Sequence, residues 1–303
     1  MFAGHFFIAF LIVSLFAYWK GIDKEQCLVL GVFAGGFAVL PDLDIVYALK
    51  GLSSIFLPVS VLDSFWSASK VIHRGISHSL VTGFIAASLF ALGYEKNSYI
   101  GNIFSIIFLG VFAFFLDGWI GAGVLVLYGA VGGVLSTYAE NYLSRKRLFA
   151  VALTGLLSHP FGDLFTGTPP DFLYPLNIEI ISSRIVLFSD PVINIVSLLI
   201  FEVALILSGI TFIAYLKDFD VTKFFNLAPL VGVLYGSVFW LIPPPSLSEA
   251  YKFVFSILLY SLTVPIIYYI IFERENRYLQ IVLTGLLTVL VSAFAYLIVY
   301  LTV

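Results

Sequence analysis

Cysteine and charged residues are scarce in this chain. Among 303 residues there is one cysteine, Cys27, which excludes an internal disulfide and a site built from several thiolates. Any metal must therefore be bound by nitrogen and oxygen. Charged residues make up 11% of the chain, whereas a soluble domain has about 25%. Since 61% of the residues are hydrophobic, water is not the main solvent of this protein.

A basic surface is also missing. The formal net charge is -3, and the 15 lysines and arginines are spread over short polar segments. Nucleic-acid binding needs clustered cations that neutralise phosphates. The sequence therefore predicts no nucleic-acid partner.

Long apolar segments dominate what is present, and they predict an all-α, polytopic transmembrane helical bundle. A span needs roughly 20 apolar residues, and its backbone polar groups must be satisfied within the protein. We expect about ten spans, near residues 4–19, 27–49, 78–94, 99–116, 119–139, 148–166, 192–216, 225–242, 252–272 and 279–302. Asp117-Gly118 divides the fourth span from the fifth, and the loop cations predict extracytoplasmic N- and C-termini.

The chemistry is concentrated in the first part of the chain. All four histidines precede residue 160, and Pro41-Asp42-Leu43-Asp44 closes the second apolar segment. Span parity places His5, these aspartates, His78 and the His159 to Asp163 motif at one membrane face. The sequence thus predicts a membrane-embedded metal-site unit of six spans over residues 1–190, followed by four additional transmembrane helices over residues 191–303.

Imidazoles and carboxylates in this number predict a metal centre. Seven of them are candidate ligands: His5, Asp42, Asp44, His73, His78, His159 and Asp163. Seven groups exceed the needs of one four-coordinate zinc and would suit two ions with open water positions, while one ion stays possible. Zn²⁺ is preferred, with Mn²⁺ and Fe²⁺ as alternatives. Arg74 is a candidate to hold a substrate anion, and Asp44 to accept a proton from water.

These motifs resemble, in order, the YdjM-like family of membrane-bound metal-dependent hydrolases. The residues that carry the resemblance are Gly4-His5, Pro41 to Asp44, His73 to Ser79, Ser158 to Asp163, and Thr168 to Pro175. We expect it to cover residues 1–190, and the chain has Ile45 where some relatives carry a further histidine. The ligand order is also similar to that of zinc-dependent phospholipases C and related nucleases.

The resemblance implies an integral protein of a prokaryotic cell membrane that hydrolyses a substrate with a metal-activated water. A phosphoester in a lipid or other amphiphile is the expected substrate, and membrane lipids are the expected partners. Two alternatives remain open. One is an ion or proton-coupled transporter, which should place its polar groups near the midplane and repeat them in both halves. The other is a regulatory membrane protein with a structural metal.

Overall fold

A computed structural model describes residues 2–46, 74–94, 98–165, 168–176, 178–224, 226–239, 246–272 and 277–302 of the chain. These residues form helices and connecting segments and contain no strand, which confirms the all-α prediction. They divide into two compact units, Met1–Ile185 and Val186–Val303. The functional division predicted near residue 190 stays a prediction.

The described residues of the first unit form five α-helices. They are α1 (Phe2–Trp19), α2 (Lys24–Ala38), α3 (Leu80–Leu92), α4 (Ser98–Ala139) and α5 (Arg145–Asp163). Asp23 begins α2 by accepting a hydrogen bond from the backbone N–H of Gln26 at 2.9 Å. Ser79 does the same for α3, through the N–H of Val81 at 3.1 Å. Such caps satisfy donors that a helix start leaves without partners.

Helix α5 lies at the centre of the first unit, where it packs against α1, α2 and α3. Its approach to α2 depends on Gly155, because a Cβ built there would lie 2.4 Å from the carbonyl oxygen of Ala34. The last turn of α5 carries His159 and Asp163. A helix that packs against three others therefore ends in two of the candidate ligands.

Helix α4 folds back on itself at Gly118, which has a φ of 65° and lies in the left-handed region that glycine adopts freely. The side-chain amide of Asn102 donates to the carbonyl of Gly133 at 3.2 Å and to Thr137. In a straight helix, residues so far apart in sequence would be separated by more than about 40 Å. The two arms of α4 are therefore antiparallel, and they meet at the predicted Asp117-Gly118 division.

In the second unit, the described part of the chain forms four α-helices, and the last of them contacts the other three. They are α6 (Pro191–Leu216), α7 (Val231–Phe239), α8 (Leu247–Phe272) and α9 (Arg277–Thr302). Asp190 caps α6 by accepting from two backbone N–H groups, at 2.8 and 2.9 Å. Helix α9 packs against the other three. The rings of Phe253 and Tyr296 are fully buried and stacked, with centroids 4.3 Å apart.

The expected number of ten spans is not supported. By length and composition, the described residues contain five helices that could cross a membrane: Lys24–Val46, Tyr99–Ala139, Pro191–Leu216, Ala250–Tyr269 and Tyr278–Thr302. The first, third and eighth apolar segments form shorter helices, Ala3–Trp19, Leu80–Leu92 and Ala228–Val238. The fourth and fifth belong to α4, and α5 carries charged residues at both ends. Apolar content predicted each segment, but the helices of the third and eighth segments are shorter than predicted.

Candidate metal centre

The side chain of His159 is oriented by the backbone of α2. Its Nδ1 lies 2.6 Å from the carbonyl oxygen of Ala38, and because a carbonyl can only accept, Nδ1 must carry the proton. That tautomer leaves a lone pair on Nε2. Metal-binding histidines are commonly fixed in this way by a partner on the other ring nitrogen.

His78 is fixed by a carboxylate instead. A short 3₁₀ helix, Ile76–His78, precedes α3 and buries the side chain completely. Its Nδ1 lies 3.3 Å from Oδ2 of Asp44, and the Ser77 hydroxyl lies 3.0 Å from the same nitrogen. Ser77 donates to Asp44 at 2.8 Å. With these acceptors beside Nδ1, the lone pair of His78 is also on Nε2.

Four atoms at the centre of the cluster form what we call the primary donor set: Nε2 of His78, Nε2 of His159, Oδ1 of Asp42 and Oδ2 of Asp163. The Asp163 oxygen lies 3.2 Å from the His78 nitrogen and 3.5 Å from the His159 nitrogen. The Asp42 oxygen lies 3.7 and 3.5 Å from the same two nitrogens. Two ligands bound at about 2.1 Å in tetrahedral geometry are roughly 3.4 Å apart. These four N–O distances match those between neighbouring ligands of one ion.

The remaining oxygens of the two carboxylates face the opposite way, toward His5. Nε2 of His5 lies 3.4 Å from Oδ1 of Asp163 and 4.0 Å from Oδ2 of Asp42. Its ring stacks on that of His159, with centroids 3.8 Å apart. Two groups of donors, one with His5, Asp42 and His159 and one with His78, His159 and Asp163, each lie within 4.8 Å of one another.

Arg74 holds Asp163 from the side that faces His5. Its Nη2 donates to Oδ1 of Asp163 at 3.3 Å, and its Nη1 donates to the carbonyl of the same residue and to that of Thr168. The backbone of Arg74 has a φ of 71°, a strained conformation for a side chain of this size. Asp171 stabilises it by donating its N–H to the Arg74 carbonyl at 3.3 Å.

The segment that follows α5 contacts both the start of α3 and the tip of α4. The Ser79 hydroxyl donates to the carbonyl of Tyr174 at 2.7 Å, and the N–H of Leu80 donates to that of Phe172 at 2.8 Å. The phenol of Tyr174 donates to Asp117 at the tip of α4. Burial and then this carboxylate raise the pKa of Tyr174 to about 12, so it stays a donor at neutral pH. The start of α3, the end of α5 and the α4 tip are thus held together.

Burial makes a cation in this cluster physically favourable. His5, Asp42, His159 and Asp163 are at most 5% exposed. Both ring nitrogens of His5, Oδ2 of Asp42, Nε2 of His159 and Oδ2 of Asp163 have no hydrogen-bond partner within the described part of the chain. Buried polar atoms without partners cost about 1–3 kcal/mol each, and more when charged. The residues present fit a divalent cation, which would satisfy Nε2 of His159 and Oδ2 of Asp163 and offset the charge of the carboxylates.

The structure brings together five of the seven predicted ligands: His5, Asp42, His78, His159 and Asp163. Asp44 lies against the far side of His78 and belongs to neither donor group. His73 lies outside the described residues.

Two contributors escaped the sequence analysis. Ser77 contacts Asp44 and His78, and its place inside the His73 to Ser79 motif could have drawn attention to it. The Ala38 carbonyl had no sequence signal, because every residue has a carbonyl and only the packing of α2 on α5 selects this one.

Comparison with known proteins agrees with the resemblance of the motifs. The profile of the family described as YdjM inner membrane protein matches residues 1–301. The chain belongs to the YdjM family. No curated protein and no solved structure gives a significant match.

The family assignment confirms the predicted family and membrane location. It corrects the expected extent of the resemblance, since the YdjM profile includes the second unit as well as residues 1–190. The last helices of this YdjM family member are therefore part of the family's common sequence. The resemblance was recognised from short motifs in the first unit. The apolar helical region that follows has no such motifs, so inspection of its sequence did not reveal that it belongs to the family.

Proposed function

We propose that this YdjM family member is an integral-membrane metal-dependent hydrolase that cleaves phosphoester bonds in a lipid or other amphiphilic substrate. The observation that carries the proposal is the primary donor set of His78, His159, Asp42 and Asp163, with nearest N–O spacings of 3.2–3.7 Å. Zn²⁺ suits two imidazoles and two carboxylates, and Mn²⁺ and Fe²⁺ are alternatives. A bound divalent ion supplies an activated water and stabilises developing negative charge.

The protein's own residues would then have distinct roles. Ala38 and Asp44 orient the rings of His159 and His78, and Ser77 supports Asp44. Asp44 is thus better placed to position His78 than to accept a proton from water. Oδ2 of Asp42, which has no hydrogen-bond partner in the described structure, is a better proton acceptor. Asp42 is also the most exposed of the buried aspartates, at 5%.

Exposed apolar side chains in the last turn of α5 and in the residues that follow it support an amphiphilic substrate. Phe161 lies between His159 and Asp163 in sequence and is 48% exposed, and its ring packs on Phe172 with centroids 5.2 Å apart. Farther along, Ile178 and Ile180 are also more than half exposed. A substrate with an acyl chain could pack on such side chains while its polar group reaches the metal centre.

The position of the cluster favours an enzyme over a transporter. Its five described members all belong to the first unit, and no comparable group of histidines and carboxylates occurs in the described part of the second. A transporter built from repeats should place equivalent polar groups in both halves. A structural metal in a regulatory protein remains the rival that the experiment must separate.

The test combines metal analysis with an activity assay. We expect the purified full-length protein to contain a divalent metal and to release phosphate or a phosphorylated headgroup from mixed lipids. His78→Ala and Asp163→Ala should abolish both, whereas Ser158→Ala, next to the site but outside the donor set, should preserve both. Metal-free wild-type protein would contradict the proposal. Bound metal without hydrolysis of any lipid would favour the structural alternative.

A further inference from the structure

We infer that the centre holds one divalent ion, and that the guanidinium of Arg74 occupies the place on the His5 side where a second ion would bind. The inference rests on the proposed function, because it concerns the same metal centre. It differs from the prediction of two ions that the number of candidate ligands suggests. Three independent observations support it.

The first observation is how the two carboxylates divide their oxygens. Oδ2 of Asp163 faces the primary donor set, and its Oδ1 contacts both Nε2 of His5 and Nη2 of Arg74, at 3.4 and 3.3 Å. A carboxylate that bridges two cations presents one oxygen to each. Here the second cation beside Oδ1 is already present as a side chain of the protein.

The second observation is the different support of the three histidines. His78 and His159 each have an acceptor at Nδ1, which fixes the tautomer that binds a metal through Nε2. Neither ring nitrogen of His5 has a hydrogen-bond partner in the described part of the chain. Metal-binding histidines almost always have such a partner. His5 is therefore the least prepared of the three to be a ligand.

The third observation is charge balance. Asp42, Asp44 and Asp163 are at most 5% exposed, and ionised they carry three negative charges. One divalent ion and the Arg74 guanidinium together carry three positive charges. A second divalent ion in the place of Arg74 would leave one excess positive charge among these described buried groups, which is costly in a low-dielectric interior.

Arg74 is also held where this role requires it. The two backbone carbonyls that its Nη1 contacts lie at the end of α5 and in the segment after it. Its left-handed backbone, with a φ of 71°, costs on the order of 1 kcal/mol and persists only when surrounding contacts hold it. The Arg74 side chain is 11% exposed, so most of it is shielded from water.

Zinc stoichiometry tests the inference without any activity assay. The full-length protein in detergent is titrated with zinc chloride, free metal is removed, and bound zinc per chain is measured by elemental analysis. We expect one zinc in the wild type and two in Arg74→Ala, because that variant frees Oδ1 of Asp163. Arg74→Lys should keep one, since its ammonium replaces the charge. Arg74→Ala combined with His5→Ala should return to one.

Two zinc ions in the wild type would overturn the inference, as would an unchanged single zinc in folded Arg74→Ala. If Arg74→Ala does not fold, Arg74→Gln, which removes the charge but keeps most of the side chain, is measured in its place with the same expectation of two zinc ions. His5→Ala is a separate check on the number of ions. We expect His5→Ala to keep one zinc, whereas a two-ion site would change from two zinc ions to one. A wild-type protein that binds no zinc or other divalent metal would contradict the proposed function itself, so the two failures are distinguishable.

Discussion

The interiors of the two units are built from different chemistry. In the first unit, three histidines and three aspartates that are at most 5% exposed lie between α1, α2, α5 and the start of α3. In the second, apolar and aromatic side chains such as Val196, Phe253 and Tyr296 pack around α9. The buried polar residues of α9, such as Thr288 and Ser292, are uncharged. Apolar packing is stable by itself, but a buried group of carboxylates needs positive charge. We therefore expect loss of the metal to affect the first unit and loss of apolar packing to affect the second.

The largest expected effect is the loss of metal from the first unit. His159→Ala removes an atom of the primary donor set and leaves the carboxylates of Asp42 and Asp163 without that partner. We expect the tightly bound ion to be lost, which elemental analysis of the purified variant would measure. Ser158→Ala is the control, because the hydroxyl of Ser158 bonds only locally, to the carbonyl of Gly155. Full metal content in His159→Ala would show that His159 is not a metal ligand.

A substitution in the core of the second unit should lower the free energy of unfolding without changing the metal content. Phe253→Ala removes a fully buried ring stacked on Tyr296 and should lower the free energy of unfolding by about 3–5 kcal/mol. Denaturant unfolding in detergent measures this, and metal content should not change. Phe255→Ala is the matched control, since Phe255 is 50% exposed. Loss of metal in folded Phe253→Ala would show that the two interiors are coupled.

A smaller effect on zinc affinity is expected at Asp44, which contacts His78 on the side away from the primary donor set. Asp44→Asn weakens the acceptor at Nδ1 of His78, and outer partners of this kind usually contribute 10–100-fold to metal affinity. We expect about that loss in zinc affinity, measured by competition with a chelator, with the number of bound ions unchanged. Asp117→Asn, in the same unit but outside both donor groups, should bind zinc normally. Complete loss of zinc in Asp44→Asn would instead make Asp44 a direct ligand.

The smallest effect concerns the start of α6 in the second unit. Asp190→Ala removes a cap that accepts from two backbone N–H groups and from the hydroxyl of Tyr300 at 2.8 Å. We expect a loss of about 1 kcal/mol in unfolding free energy and no change in metal content. Ser189→Ala, at the exposed neighbouring position, serves as the control. Equal stability of the two variants would show that the cap contributes nothing measurable.

Much of the candidate site was predictable because its residues are rare in such a chain. Four histidines in 303 residues, with aspartates at apolar segment ends, are costly in a membrane protein unless they serve a purpose. The division at Asp117-Gly118 was also predictable, because an aspartate and a glycine interrupt some forty apolar residues. The number of long helices was not, since hydropathy does not show where within an apolar segment a helix ends.

The sequence by itself determined the class of the protein, its family and the residue types available to a metal. Tertiary structure decided which atoms face one another. It placed Asp44 beside Nδ1 of His78, the Ala38 carbonyl beside Nδ1 of His159, and Arg74 beside Oδ1 of Asp163. The physical reason is that hydropathy and residue type are local properties, whereas ligand geometry depends on helices that meet from distant parts of the chain.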